Sequence, residues 1–452
     1  MLHKFFARTA ALGRRLRPAQ IIALVFALLI LAGAGLLCLP CASRAHTRTP
    51  FLTSLFTAAS ATCVTGLIRV DTGSYWSGFG QAVLLLLIQI GGLGFMSVAC
   101  VFFFALRQKI GLRQRMLLAQ ALSAAEYSGV VSLVRNVLLG TLAVESAGAL
   151  VLTLRFWPEF GFGRALWYGV FHSVSAFCNA GFDVLGDTAA GGSLSRYVSD
   201  PVVNLTVVAL IVIGGLGFSV WGEIRRRKLS VYARLAVRLT LGLLLGGAAL
   251  FALLEWNNPA TLGGLSVGGK LLASLFQSAT LRTAGFVTID QSALHDVSKV
   301  LCDILMFIGG SSGSTAGGVK TVTVGVLLAF VFGTARGREH VSVLRHTISA
   351  RDAANAAAIA VLVFALALGG ACAISVCDAL PMDACLYETI SALCTVGITT
   401  GITPGLSVFP QILLILYMFF GRVGIMTISV AFLAANRAGS RARYADARLL
   451  IG

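Results

Sequence analysis

Eight stretches of this chain are long and apolar enough to cross a bilayer: residues 21–39, 79–106, 131–154, 201–222, 235–254, 300–332, 353–377 and 409–435. A hydrocarbon core of about 30 Å needs about 20 residues of helix at 1.5 Å rise per residue. Lipid offers no hydrogen-bond partner to a free peptide group, so runs of this length read as helices. Of all residues, 57% are hydrophobic and only 12% charged, against about 25% charged in a typical soluble domain. Soluble and disordered classes are thereby excluded, and the chain is expected to be an all-α polytopic membrane protein.

Four shorter apolar stretches, 50–61, 164–177, 270–281 and 383–393, lie between the long runs. Each is about half a span and ends in a glycine-containing loop, so they read as re-entrant half-helices that stop inside the membrane. The expected architecture is eight transmembrane helices plus four pore half-helices.

The formal charge of +17 comes from 35 Lys and Arg against 18 Asp and Glu. Of these basic residues, 23 fall in five clusters. They are Lys4, Arg8, Arg14, Arg15 and Arg17; Arg107, Lys109, Arg113 and Arg115; Arg225, Arg226, Arg227, Lys228, Arg234 and Arg238; Arg336, Arg338, Arg345 and Arg351; and Arg437, Arg441, Arg443 and Arg448. With eight spans all five fall on one face, and the acids Asp71, Asp183, Asp187, Asp200, Asp290, Asp296, Asp378 and Asp383 fall on the other. The positive-inside rule then puts both termini in the cytoplasm of a multi-pass plasma (bacterial inner) membrane protein. No basic and aromatic residues interleave, so the charge gives no support to nucleic-acid binding.

The half-helices are copies of one another. Their loops end at Gly66, Gly181, Gly285 and Gly397, at near-constant spacing. A Ser lies six residues before the glycine in three copies (Ser60, Ser175, Ser391), and a Cys three before it in the same three (Cys63, Cys178, Cys394). The remaining copy has Arg282 in the cysteine's place. A second glycine cluster follows each loop: Gly91-Gly-Leu-Gly-Phe95, Gly214-Gly-Leu-Gly-Phe218, Gly309-Gly-Ser-Ser-Gly313 and Gly421-Arg-Val-Gly424. Self-similarity of this kind divides the chain into four span–half-helix–span repeats around one pore. Repeat 1 is residues 1–110 with pore loop 50–67, and repeat 2 is 111–225 with pore loop 164–183. Repeat 3 is 226–340 with pore loop 270–286, and repeat 4 is 341–452 with pore loop 383–398.

Non-helical backbone at bilayer depth must face protein or water. Four such loops on one axis would present carbonyl oxygens able to replace an ion's hydration shell. Half-helices aiming their C-termini inward would add a field that favours cations. The expected ion-binding residues are Cys63, Val64, Thr65 and Gly66; Cys178, Asn179, Ala180 and Gly181; Arg282, Thr283, Ala284 and Gly285; and Cys394, Thr395, Val396 and Gly397. Their small side chains should pack behind the path.

The sixth run is interrupted by Gly309, Gly310, Ser311, Ser312, Gly313, Ser314, Thr315, Ala316, Gly317 and Gly318. Five Gly, three Ser and a Thr in ten residues do not hold a helix in lipid. The segment is expected to cross the conduction path as a gate. Lys320 closes it, either pointing into the cavity or snorkelling, and Arg422, mid-span, must face the bundle interior. The run 313–321 looks like a phosphate loop but lacks its Gly-Lys pair and follows a membrane span instead of a strand. No metal or catalytic constellation stands out, so the chain reads as no enzyme and as carrying no cofactor.

Residues 61–67, Asp71-Thr-Gly73, residues 87–96, Phe177–Asp183, Arg282–Phe286 and Gly309–Thr321 together resemble the Ktr/Trk superfamily of potassium uptake proteins. Within it they are most similar to the Ktr-type (KtrB-like) ion-translocating subunit. The resemblance covers nearly the whole chain. It implies a homodimer with one potassium pore per subunit, regulated by a separate cytosolic ring of RCK-type nucleotide-binding subunits. It also implies that loop 309–318 is an intramembrane gate, that Arg422 sits beneath the filter, and that glycine at all four filter positions favours potassium over sodium. Whether sodium activates uptake is left open. The alternative function is a potassium symporter coupled to sodium or protons, for which Glu145 is the acidic candidate well inside a span.

Overall fold

The computed structural model describes residues 18–94, 130–186, 193–338 and 341–424. The N-terminal basic cluster, Arg107–Arg115, Asp187, the tail arginines from Arg437 to Arg448, and the far parts of the second and eighth apolar runs lie outside the described residues.

The described chain is helical almost throughout; its strands are a two-residue pair, Ser342–Val343 with His346–Thr347. In order, α1 is Pro18–Leu37, α2 Phe51–Thr62, α3 Thr72–Tyr75, α4 Gly78–Leu93 and α5 Val130–Phe177. Next, α6 is Pro201–Gly215, α7 Phe218–Arg225, α8 Val231–Glu255, α9 Val267–Thr280 and α10 Asp296–Phe307. Last come α11 Thr321–Ala335, α12 Ala350–Asp378, α13 Met382–Leu393 and α14 Val408–Val423. The helix α5 contains a break at Gly161 (φ 73°), so it is a long limb followed by a short one ending at Phe177.

A long helix and the short one after it pack together in three quarters, α1 on α2, α8 on α9 and α12 on α13, and in the second quarter α5, which holds both limbs, packs on α6. Contacts between quarters then close a circle. Helix α4 meets α5, α6 meets α9, α10 meets α13, and α14 returns to α2 and α1. Polarity is arranged inside out. Short helices are buried nearly end to end, polar residues included, as with Ser54, Thr57 and Ser60 of α2. Long helices carry bare leucines outward; Leu253 of α8 is 77% exposed. Such a surface suits lipid and would be a liability in water.

Four helices of the described residues are long and apolar enough to cross a bilayer, within α1, α5, α8 and α12. The second run of each quarter behaves differently from its apolar length. The sequence suggests one interrupted run, the sixth; among the described residues the fourth is broken too, and the helices of the second and eighth end at a glycine. Helix α4 stops at Gly94 (φ 77°), α6 turns through 96° into α7 around Gly217 (φ 98°), α10 gives way to the loop before α11, and α14 stops at Gly424 (φ 94°). The last glycine of three clusters thus holds a conformation in which a side chain would be strained.

The first glycine of those clusters has a different task. A Cβ on Gly91, Gly214 or Gly421 would collide with the carbonyl oxygen of Thr62, Phe177 or Leu393, respectively. Each of these residues ends a short helix, so the glycines let α4, α6 and α14 lie directly against the helix ends. Gly91→Ala should therefore cost about 1–3 kcal/mol of stability. Gly246→Ala, with nothing within 4 Å of its Cβ position, should be neutral or better. Thermal unfolding of the detergent-purified variants tests this; equal midpoints would contradict the packing.

Candidate functional site

The four short helices end in turns of one backbone shape. The residue two before each glycine is left-handed: Val64 (φ 57°), Asn179 (58°), Thr283 (65°) and Thr395 (52°). The glycines follow with positive φ of 101°, 69°, 84° and 90°. A left-handed residue costs about 1–2 kcal/mol when it carries a Cβ, and Val64, Thr283 and Thr395 are also β-branched. Such a conformation recurs four times only where surrounding bonds dictate it.

Those bonds come from the helix ends. Thr65, Ala180 and Val396 donate their amides to the carbonyls of Ser60, Ser175 and Ser391, at 2.8 Å each. Ala284 donates to Thr280 O at 2.9 Å. The recurrent hydroxyl then fixes the glycine or its successor. Gly66 and Gly397 donate their N–H to Ser60 Oγ (3.0 Å) and Ser391 Oγ (3.1 Å). In the other two turns the hydroxyl donates, Ser175 Oγ to Phe182 O and Thr280 Oγ1 to Phe286 O, both 2.7 Å. Repeat 3 has no serine at the recurring position, and Thr280 takes its role from one residue nearer the glycine.

The turns meet. A Cβ on Gly66 would lie 2.6 Å from Ala180 O, and one on Gly181 2.6 Å from Gly285 Cα and 2.7 Å from Ala284 O. One on Gly285 would lie 2.7 Å from Val396 O, and one on Gly397 would strike Thr65 O, with Gly66 Cα at 2.7 Å. The ring closes in chain order, with the carbonyls of Thr65, Ala180, Ala284 and Val396 among its glycines. Of the side chains expected to pack behind it, Cys63, Cys178 and Cys394 are all buried. Cys178 is held so closely that a Cβ on Gly92 would lie 2.5 Å from its Sγ. Arg282 turns its guanidinium away from the ring to Thr240, whose carbonyl accepts from Nη1 at 3.2 Å. It lines a small cavity with Ile211, Val212 and Leu244.

Loop 309–318 is folded against the same ring. Phe307 and Gly309 bond to Val319 across its neck, with Val319 N donating at 3.2 Å and Gly309 N at 2.9 Å. Its crown is tied to the second quarter: Ser311 N donates to Gly215 O (3.0 Å), and Phe218 N donates to Gly313 O (2.9 Å). A Cβ on Gly317 would strike Thr395 Oγ1 in the fourth turn. Lys320 turns back on its own loop, its Nζ donating to Ala316 O (2.7 Å) and Gly317 O (3.4 Å). Arg422 bonds the carbonyls of Thr315, Gly91 and Gly92, so one side chain of the fourth quarter clasps the loop and the first. Glu145 is likewise engaged, accepting from Gln89 Nε2 at 3.1 Å on the neighbouring quarter. Asp71 caps α3 through Ser74 N at 2.7 Å, and Asp183 is buried.

Sequence reasoning missed the partners: the acceptors of Arg422, Thr240 behind Arg282, and a buried carboxylate, Glu388, that accepts from Thr399 (2.8 Å) and Thr403 in the fourth quarter. Glu388 carried a usable signal, being an acid inside a half-helix. Among the described residues no three His, Cys, Asp or Glu side chains converge as metal ligands.

Removing the Ser60 hydroxyl leaves a buried amide without its acceptor, so Ser60→Ala should cost about 1–3 kcal/mol. In the same helix Ser54 is buried with its hydroxyl unpartnered, and Ser54→Ala should cost nothing. Unfolding midpoints that fall equally for both would contradict the assignment.

The chain is similar to known proteins in sequence and in fold. A family model described as TrkH, cation transport protein, matches residues 18–440. The potassium/sodium uptake protein NtpJ of Enterococcus hirae is 38% identical over 97% of this chain and 98% of its own. The Ktr system potassium uptake protein B of Bacillus subtilis is 38% identical over 97% of each chain. In fold, the chain is similar to the crystal structure of the potassium transporter TrkH from Vibrio parahaemolyticus. That similarity has a TM-score of 0.70 at 18% identity, over 92% of this chain and 84% of that one.

Proposed function

This chain belongs to the TrkH family of cation transport proteins, and from that premise we propose that it takes up potassium through the ring of four glycine turns. It is a multi-pass membrane protein of a transporter family and no enzyme. The observation that carries the proposal is the closed ring itself, in which each glycine lies against a backbone carbonyl of the next turn. Four half-helices direct their C-terminal ends toward that ring, a favourable field for a cation. The names of the relatives supply the choice of ion: those of Enterococcus hirae and Bacillus subtilis are called potassium/sodium and potassium uptake proteins.

In this reading each quarter is a span, a pore half-helix and a broken span, giving eight spans in all, with repeats at 1–110, 111–225, 226–340 and 341–452. Both termini face the cytoplasm of the plasma membrane. The residues 63–66, 178–181, 282–285 and 394–397 form the filter. Loop 309–318 with Lys320 and Arg422 forms the gate beneath it. A homodimer of such pores and a cytosolic nucleotide-binding ring of RCK type complete the system. The membrane potential drives entry by about 2.3 kcal/mol per charge per 100 mV. Coupling to protons or sodium finds little support, because Glu145 is already bonded to Gln89.

Two measurements test the proposal. In an uptake-deficient strain, growth at limiting potassium should be restored by the chain and increased by its cytosolic partner; no restoration under any condition would refute potassium uptake. In liposomes, Gly66→Ser should lower the potassium/sodium permeability ratio several-fold, since a side chain there meets Ala180 O and forces the ring apart. Deleting residues 313–316 should raise flux. An unchanged ratio would count against the filter, and unchanged flux in a folded deletion against the gate.

A further inference from the structure

Thr315 is where the loop touches the second turn, as Gly317 touches the fourth, and all the polar groups of Thr315 are engaged. Its amide donates to Gly214 O at 3.3 Å. Its hydroxyl stands 3.1 Å from Phe177 O and 3.4 Å from Asn179 Oδ1. Its carbonyl accepts from Arg422. Thr315 and Asn179 are each 1% exposed, so water does not compete for these groups, and each bond carries more weight than it would at a surface.

Asn179 extends the contact into the ring. It is the left-handed residue of the second turn, where the other turns carry Val64, Thr283 and Thr395. Its Nδ2 lies 3.4 Å from Arg282 O, in the third turn. A primary amide presents acceptor and donor on separate atoms, so it can hold two partners at once. Valine has neither, and the hydroxyl of Thr283 has no partner. Asn179 therefore joins the loop of the third quarter to the turns of the second and third.

We infer that Asn179 and Thr315 form a latch through which the seated loop sets the geometry of the filter, so that gating and ion selectivity are coupled. This rests on loop 309–318 being the gate. While the loop is seated, Thr315 fixes the Asn179 amide and, through it, the Arg282 carbonyl. When the loop withdraws, the hydroxyl leaves both Phe177 O and Asn179, the amide is free to rotate, and two of the four turns lose a brace. Asn179 is a positioning residue in this scheme; it acts on the ion through the carbonyl it holds.

The test is ion flux in liposomes, reading both rate and potassium/sodium permeability ratio for Thr315→Val, Asn179→Thr and the double variant. Thr315→Val keeps shape and removes the hydroxyl. Asn179→Thr installs the residue that the third and fourth turns accept at this position, which guards against a variant that merely misfolds. The latch predicts a raised rate and a several-fold lower ratio for Thr315→Val, and a similarly lower ratio for Asn179→Thr. In the double variant the ratio should fall no further, since both changes cut one connection. Raised flux at a wild-type ratio, or ratio losses that multiply in the double variant, would overturn the latch while leaving the gate intact. Unchanged flux in the protein lacking residues 313–316 would remove the gate itself, and the latch with it.

Discussion

A peptide group at the middle of a bilayer has no water to bond, and leaving it bare costs several kcal/mol. Every unusual feature here answers that constraint. The short helices stop inside the protein, and the amides that follow turn back onto their last carbonyls and serine hydroxyls. The carbonyls that remain converge among the four glycines. Elsewhere cationic side chains do the same service: Lys320 and Arg422 both bond main-chain oxygens. A buried guanidinium is costly unless its donors are met, and three carbonyls supplied by two other quarters meet those of Arg422.

The four quarters are equal at the ring and unequal beneath it. Turn shape and capping are common to all of them. Repeat 3 alone has an arginine in place of the recurring cysteine, and it carries an extended glycine–serine loop where repeat 2 has a bend. In repeat 3 the first glycine, Gly309, lies against Gly317 of its own loop instead of a helix end. Joining the quarters in one chain lets a single quarter diverge and supply a loop tied to Gly215 and Phe218 of the second quarter and to Arg422 of the fourth.

Much of this was legible because apolar length and the repeated glycines are direct consequences of the solvent. The half-helix expected at 50–61 is found as Phe51–Thr62, and the one at 383–393 as Met382–Leu393. The recurrence of Ser60, Ser175 and Ser391 was visible, but not its purpose, since a cap depends on which way the chain turns after it. Left-handed Val64 and Thr395 could not have been read at all; local preference opposes them, and the bonds back to the helix ends impose them. The turn between α6 and α7 was hidden because hydropathy measures length in lipid and is blind to a bend. The acceptors of Arg422 lie hundreds of residues away in sequence, so mid-span charge could announce a buried partner without naming it.

The central claim is that main-chain oxygens of four turns coordinate the transported ion. Crystals or cryo-EM grids of the full chain in rubidium or thallium would locate that ion by its scattering. The account predicts a peak on the axis of the ring, at coordination distance from the carbonyls of Thr65, Ala180, Ala284 and Val396. Heavy-ion density bound only elsewhere, with the ring empty in protein that still transports, would contradict it.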